Sequence, residues 1–151
     1  MIIQLIIHIK GHYYFTYYTP LACLYNVHCA ADDGLLSYDL SGLKTHEKFY
    51  ETNDTRISVC KPVEDETSCA PGNAICLKKG NQVLGLGVPV RPPRVKAPGS
   101  LVLDYEGGSY CPQDPTRRMN SSIHFRCDPK TYPGAPTLTG SDQGGCHYNY
   151  K

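Results

Sequence analysis

Eight cysteines, at positions 23, 29, 60, 69, 76, 111, 127 and 146, are the residues of this chain best equipped for covalent or metal chemistry. A structural zinc site favours closely spaced Cys-x-x-Cys pairs, since two thiolates must reach one ion from a short turn. Cys69 and Cys76 stand seven positions apart, in Cys69-Ala70-Pro71-Gly72-Asn73-Ala74-Ile75-Cys76, and the Pro-Gly turn between them suits a small local disulfide instead. With 14 Gly, 12 Pro and 12 Tyr but no Trp, the composition fits disulfide chemistry in an oxidising compartment rather than cytosolic thiols. The sequons Asn53-Asp54-Thr55 and Asn120-Ser121-Ser122 are candidate glycosylation acceptors and point the same way.

Arg117-Arg118 could recognise carboxylates, phosphates or vicinal hydroxyls through the fixed donor fork of the guanidinium. The competing reading is a solvated edge between loop and strand, which spacing alone favours. Arg91-Pro92-Pro93-Arg94 poses the same choice between an anion site and an exposed linker, and its prolines favour the linker. Six histidines, at positions 8, 12, 28, 46, 124 and 147, are scattered. There is no nucleophile elbow, phosphate loop or His-Glu-x-x-His pair, so the chain reads as no enzyme and implies no metal or cofactor. A net charge of +1 without a basic run gives no footing for nucleic acid or an anionic membrane surface. Glu64 to Ser68 reads as a solvated acidic loop. The apolar start, Met1 to Lys10, carries Gln4 and His8 and lacks both a basic leader and a small-residue cleavage pattern, so it is not read as a signal peptide. It is also shorter than the about 20 apolar residues that span a bilayer.

Short strands must position these side chains. His12 to Tyr18 is rich in aromatic strand formers and stops at Pro20. Leu35 to Leu40 reads as a strand closed by a turn at Ser41-Gly42, and Thr55 to Cys60 alternates with Ile57 and Val59 on one face. Val83 to Val90 is apolar, with Gly85 and Gly87 marking a bend or bulge. Ser100 to Glu106 puts Leu101, Leu103 and Tyr105 on one face before a Gly107-Gly108 turn. Ile123, Phe125 and Cys127 alternate with His124 and Arg126, which places Cys127 toward the core. Pro133 to Pro136 reads as a loop, and Cys146 to Tyr150 begins a last strand. No stretch sustains a helical period, so the expectation for these 151 residues is one all-β barrel or sandwich domain, alone or with a fragment of a second.

Taken together, Cys29, Tyr38-Asp39-Leu40-Ser41-Gly42-Leu43, Ser58-Val59-Cys60-Lys61-Pro62, the Cys69 to Leu77 run, Gly99 to Tyr105, Arg117-Arg118, Ile123 to Cys127 and Gly145-Cys146-His147-Tyr148 resemble a repeat of the cation-independent mannose 6-phosphate receptor, a P-type lectin-like mannose 6-phosphate receptor homology domain. The resemblance runs from residue 29 to residue 151. Tyr13 to Cys23 resembles the closing strand of a preceding repeat, so residues 1–25 are expected to end one repeat and residues 26–151 to form the next. The closing strand of that next repeat, with its last cysteine, would lie beyond Lys151. The resemblance implies a flattened β-barrel of two antiparallel sheets, stapled by Cys29–Cys60, Cys69–Cys76 and Cys111–Cys146. Cys127 would pair with the cysteine beyond Lys151, which leaves Cys23 and Cys127 either unpaired or bonded to each other.

Sugar-binding repeats of this family hold mannose with a Gln, an Arg, a Glu and a Tyr. Position by position, the resemblance assigns the Arg to Arg118 and the Tyr to Tyr148, puts Leu77 where the Gln belongs, and finds only Asp142 as an acid between Thr137 and His147. Each sugar hydroxyl left desolvated without a partner costs about 1–3 kcal/mol. The expectation is therefore a receptor repeat that is structural or protein-binding, with a degraded mannose 6-phosphate site. A lectin using Arg118 and Tyr148, with Gln82 or Gln113 as a displaced acceptor, is the alternative. Family membership implies neighbouring repeats of the same receptor as partners. Through the full receptor it implies phosphomannosyl lysosomal hydrolases or insulin-like growth factor II, a lumenal or extracellular location cycling between Golgi, endosome and plasma membrane, and membrane attachment through a transmembrane segment outside this chain.

Overall fold

The computed structural model describes residues 28–46, 49–52, 54–63, 69, 71–128 and 136–151. The expected strand at His12 to Tyr18, Cys23, Asn53, the acidic loop at Glu64 to Ser68 and most of the loop at Pro133 to Pro136 lie outside the described residues. In chain order the elements are β1 (Ala30–Asp32), β2 (Ser37–Asp39), α1 (Ser41–His46), β3 (Tyr50–Glu51), β4 (Thr55–Ile57), β5 (Ile75–Lys79), β6 (Gln82–Gly85) and β7 (Val88–Pro89). They continue with β8 (Arg94–Ala97), β9 (Ser100–Glu106), β10 (Tyr110–Cys111), β11 (Asp114–Arg118), β12 (Asn120–Arg126), β13 (Leu138–Ser141) and β14 (His147–Tyr150). Among the described residues the fold is all-β, as expected, apart from the six-residue α1 where a plain turn was expected. Asp39 explains that helix start: its Oδ1 accepts the Ser41 N–H at 2.7 Å, satisfying a donor that the first turn leaves open.

Two main sheets form the sandwich. One has four strands in the order β3-β4-β5-β6; the other has six, in the order β13-β14-β12-β9-β7 with β8 also on β9. One pairing departs from the antiparallel expectation, since β14 runs parallel to β12. The cause is the intervening β13, which takes the outer position antiparallel to β14, so that the returning chain slots between β13 and β12 in the direction of β12. The chain changes sheets between Gly85 and Val88. Gly87 makes the crossing at φ +105°, where a Cβ would stand 2.6 Å from the Glu106 carbonyl oxygen, so both the dihedral and the close backbone approach require glycine.

Between the sheets lie Ile57, Ile75, Leu86, Leu103, Tyr105, Met119, Ile123 and Tyr150, each no more than 2% exposed. Disulfides tie the frame at Cys29–Cys60, Cys69–Cys76 and Cys111–Cys146, with Cα separations of 5.7, 5.4 and 5.4 Å. Arg91-Pro92-Pro93 is a connector, and Arg94 opens an edge strand. Both arginines are ion-paired along β9, Arg91 with Glu106 and Arg94 with Asp104 at 2.6 Å, so this motif is not a vacant anion site.

Cys127 corrects the sequence reading. It is an exposed free thiol, not a core residue. Burial decays along the alternating face of β12, from Ile123 at 2% exposure through half-buried Phe125 to exposed Cys127, because the pairing of β14 stops at Ile123.

Candidate functional site

Arg118 closes the β10–β11 hairpin, directly opposite Tyr110. Its guanidinium carbon lies 3.9 Å from the centre of the Tyr110 ring, and Nη1 donates to the Gly108 carbonyl at 3.1 Å. The side chain is thereby held over an exposed aromatic face, leaving further N–H donors toward solvent. Asp114 shapes the hairpin by accepting the Thr116 N–H at 3.0 Å and its hydroxyl at 2.5 Å, contacts that keep its carboxyl below the usual range. The Cys111–Cys146 bond pins the hairpin to the chain two residues before Tyr148.

Tyr148 sits in β14, opposite Ser121 of β12 and Ser141 of β13, and is buried. Burial, and then the charge of Asp142, raise its hydroxyl above the ordinary value. A Cβ on Gly145 would lie 3.7 Å from that hydroxyl, so the tight turn before β14 brings backbone against it. Arg118 runs through buried Met119 into Asn120, which faces His147, so Arg118 and Tyr148 stand at the same end of the six-stranded sheet.

The other two positions are arranged differently. Leu77 lies in β5, between Thr55 of β4 and Leu84 of β6, and belongs to the core at 9% exposure. Asp142 is exposed, but its Oδ1 accepts the Cys146 N–H at 2.7 Å and the His147 N–H at 3.1 Å. Those two bonds hold its carboxyl below the usual carboxylate range. Gln82 is exposed at the start of β6 and Gln113 is exposed in the turn of the β10–β11 hairpin. Asn120 is half-buried within β12, with its Oδ1 against His147 Nδ1, and Ser122 of its sequon is buried and donates to Asp104 at 2.9 Å.

Tyr110 went unrecognised in the sequence. Its signal is the hairpin itself: an aromatic residue before Cys111-Pro112 that the return strand brings opposite Arg118. Among the described residues no cluster of His, Cys, Asp and Glu could hold a metal ion, and no helix is long and apolar enough to cross a membrane.

A family model for the cation-independent mannose-6-phosphate receptor repeat matches residues 5–112. The chain belongs to this repeat family. Among curated proteins, the human cation-independent mannose-6-phosphate receptor is 30% identical over 158 aligned residues, covering 92% of this chain. The chain spans 6% of that receptor's length. Among solved structures, domain 11 of chicken IGF2R is 25% identical, with a TM-score of 0.65 over 81% of this chain and 85% of its own. The solution structure of domain 11 of the echidna mannose 6-phosphate/IGF2R receptor shares the fold, with a TM-score of 0.63 over 82% of this chain and 89% of its own at 24% identity. These relatives are receptor repeats, not enzymes, and the mannose 6-phosphate receptor repeat fold accounts for the two sheets.

Proposed function

We propose that this chain is an extracytoplasmic repeat of a lysosomal-enzyme sorting receptor, serving as a structural and protein-binding module whose mannose 6-phosphate site is degraded. The observation that carries this reading is Leu77: where a sugar-binding repeat would have a Gln, this chain has a side chain packed in the core between Thr55 and Leu84. An apolar group there can neither donate to nor accept from a ring hydroxyl. Asp142, the one acid in the stretch expected to hold the Glu, has an oxygen committed to backbone N–H groups of its own turn. In this reading residues 1–25 end a preceding repeat, and neighbouring repeats are the immediate partners. Growth factor and phosphomannosyl hydrolases are bound through the full receptor as it cycles between Golgi, endosome and cell surface.

A lectin function is the second reading, favoured by Arg118, whose stacked and exposed guanidinium stands at the same end of the sheet as Tyr148. Glycan-array binding separates the two. Absence of retention at every phosphomannose density supports the module; retention abolished by Arg118→Ala supports the lectin and overturns the first reading.

A further inference from the structure

Asn120 begins β12 and heads the sequon Asn120-Ser121-Ser122. Its neighbours along the strand fix the side of the sheet it takes. Ser121 is buried and donates from Oγ to the Leu86 carbonyl at 3.1 Å, and Ile123 belongs to the core. Alternation therefore turns Asn120 to the outward face of the six-stranded sheet, where it is half-buried. The position has room on one flank: β14 lies beside it through the Asn120–His147 pair, whereas the register with β9 starts only at Ser121–Tyr105. The carboxamide is also oriented. Oδ1 meets His147 Nδ1, and the same ring reaches Asn149 Oδ1 through Nε2 at 3.2 Å. Among the described residues Nδ2 meets no hydrogen-bond partner and is not buried, so it faces solvent. Nearby carboxylates on this face are already matched, Asp104 by Arg94 and Ser122, Glu106 by Arg91.

We propose that Asn120 carries an N-linked glycan on the outward face of the six-stranded sheet, with its Oδ1 held by His147. This rests on the extracytoplasmic reading above, since the oligosaccharide transferase acts in the lumen of the secretory pathway. In the transfer, Nδ2 attacks the anomeric carbon of an oligosaccharide carried on a lipid pyrophosphate. The carbon–nitrogen bond forms as the bond from that carbon to the pyrophosphate oxygen breaks; Nδ2 gives up one proton, and the lipid pyrophosphate leaves with the electron pair. Oδ1 keeps its lone pairs, so the contact with His147 survives the linkage, with Nδ1–H as donor. Ser122 sets the timing. The hydroxyl that the transferase must read is buried in the folded repeat, where it donates to Asp104 at 2.9 Å. Transfer therefore precedes the pairing of β12 with β9.

The test is translation of the whole chain, behind a cleavable signal peptide, into microsomes. Glycans are then removed in heavy-oxygen water with the amidase that converts a linked Asn to Asp, and trypsin releases Met119 to Arg126. The expected result is amidase-dependent heavy-oxygen label at Asn120 in chains that hold all three bridges, and loss of one step of the mobility shift in Asn120→Gln. Bridged chains with an unlabelled Asn120 overturn the glycan while leaving the extracytoplasmic reading in place. Chains that form no bridges and gain no label overturn both. Label confined to chains without bridges also overturns the proposal, because the sugar would then not fit the folded face. Timing is read with solubilised transferase and lipid-linked oligosaccharide: the reduced, unfolded chain should gain label and the bridged chain none, and equal labelling of the two refutes the assigned order.

Discussion

Arg118 stands exposed on a disulfide-pinned hairpin and lies over Tyr110, whereas Leu77 sits in the wall of the core, flanked on both sides by paired strands. Family resemblance puts a sugar-contacting group at both positions, yet only one keeps it. On the hairpin a long cation keeps its donors in water and costs the fold little. In the middle of β5 an amide without a ligand would be a buried polar group short of partners. In the proposed reading the position that doubles as core is the one that turned apolar, whereas the exposed hairpin residue keeps its donors.

The largest effect is expected from Leu77→Ala, which should lower stability by about 2–5 kcal/mol by leaving a cavity between the sheets, read from the denaturant midpoint. A loss below about 1 kcal/mol would mean that Leu77 is not a core element, and the comparison would collapse. Next comes alkaline pH. Thr55, the cross-strand neighbour of Leu77, also acts on the hydroxyl of Tyr150, which burial pushes up to about 12 from an ordinary 10.0. The folded state therefore holds its proton where the unfolded chain releases it. This contribution is intact below pH 10 and falls away as pH rises toward 12, a loss of up to about 3 kcal/mol. Tyr150→Phe should flatten that part of the stability curve, and an unchanged slope would assign the alkaline loss elsewhere.

On the other side of the comparison, Arg118→Ala should cost only about 0.5–1 kcal/mol, the scale of an exposed cation–π contact. A much larger loss would show the hairpin to be structural in its own right. The smallest effect is acidic. Asp142 gains its depressed pKa from the Cys146 and His147 N–H groups, so its contribution is present above its ordinary 3.8 and disappears as pH falls through the lower folded value. Asp142→Asn should remove this dependence, and an acid limb identical to the parent's would contradict the turn-holding role.

Much of the fold was legible because period and punctuation agreed. Ser100 to Glu106 alternates and forms β9 with Leu101, Leu103 and Tyr105 buried, and Gly85 and Gly87 bracket the crossing between sheets. Thr55 to Cys60 was legible only in part: pairing ends at Ile57, and Cys60 turns at φ +60° to meet Cys29. Cys127 was misread because alternation says which face a side chain takes but not how far the neighbouring strand extends to cover it. The aromatic partner of Arg118 escaped notice for a related reason, since cross-strand contact depends on register.

The order of residue types determined by itself that this chain is a disulfide-framed β module, and which positions family resemblance would assign to a sugar. Local spacing carries that information, because turns, alternation and side-chain chemistry act over a few residues. Tertiary structure alone decided that Leu77 is walled into the core, that Arg118 lies on Tyr110, and that β14 runs parallel to β12 and leaves Cys127 uncovered. Those outcomes depend on strands far apart in the chain and on where their pairing stops, which no local pattern encodes.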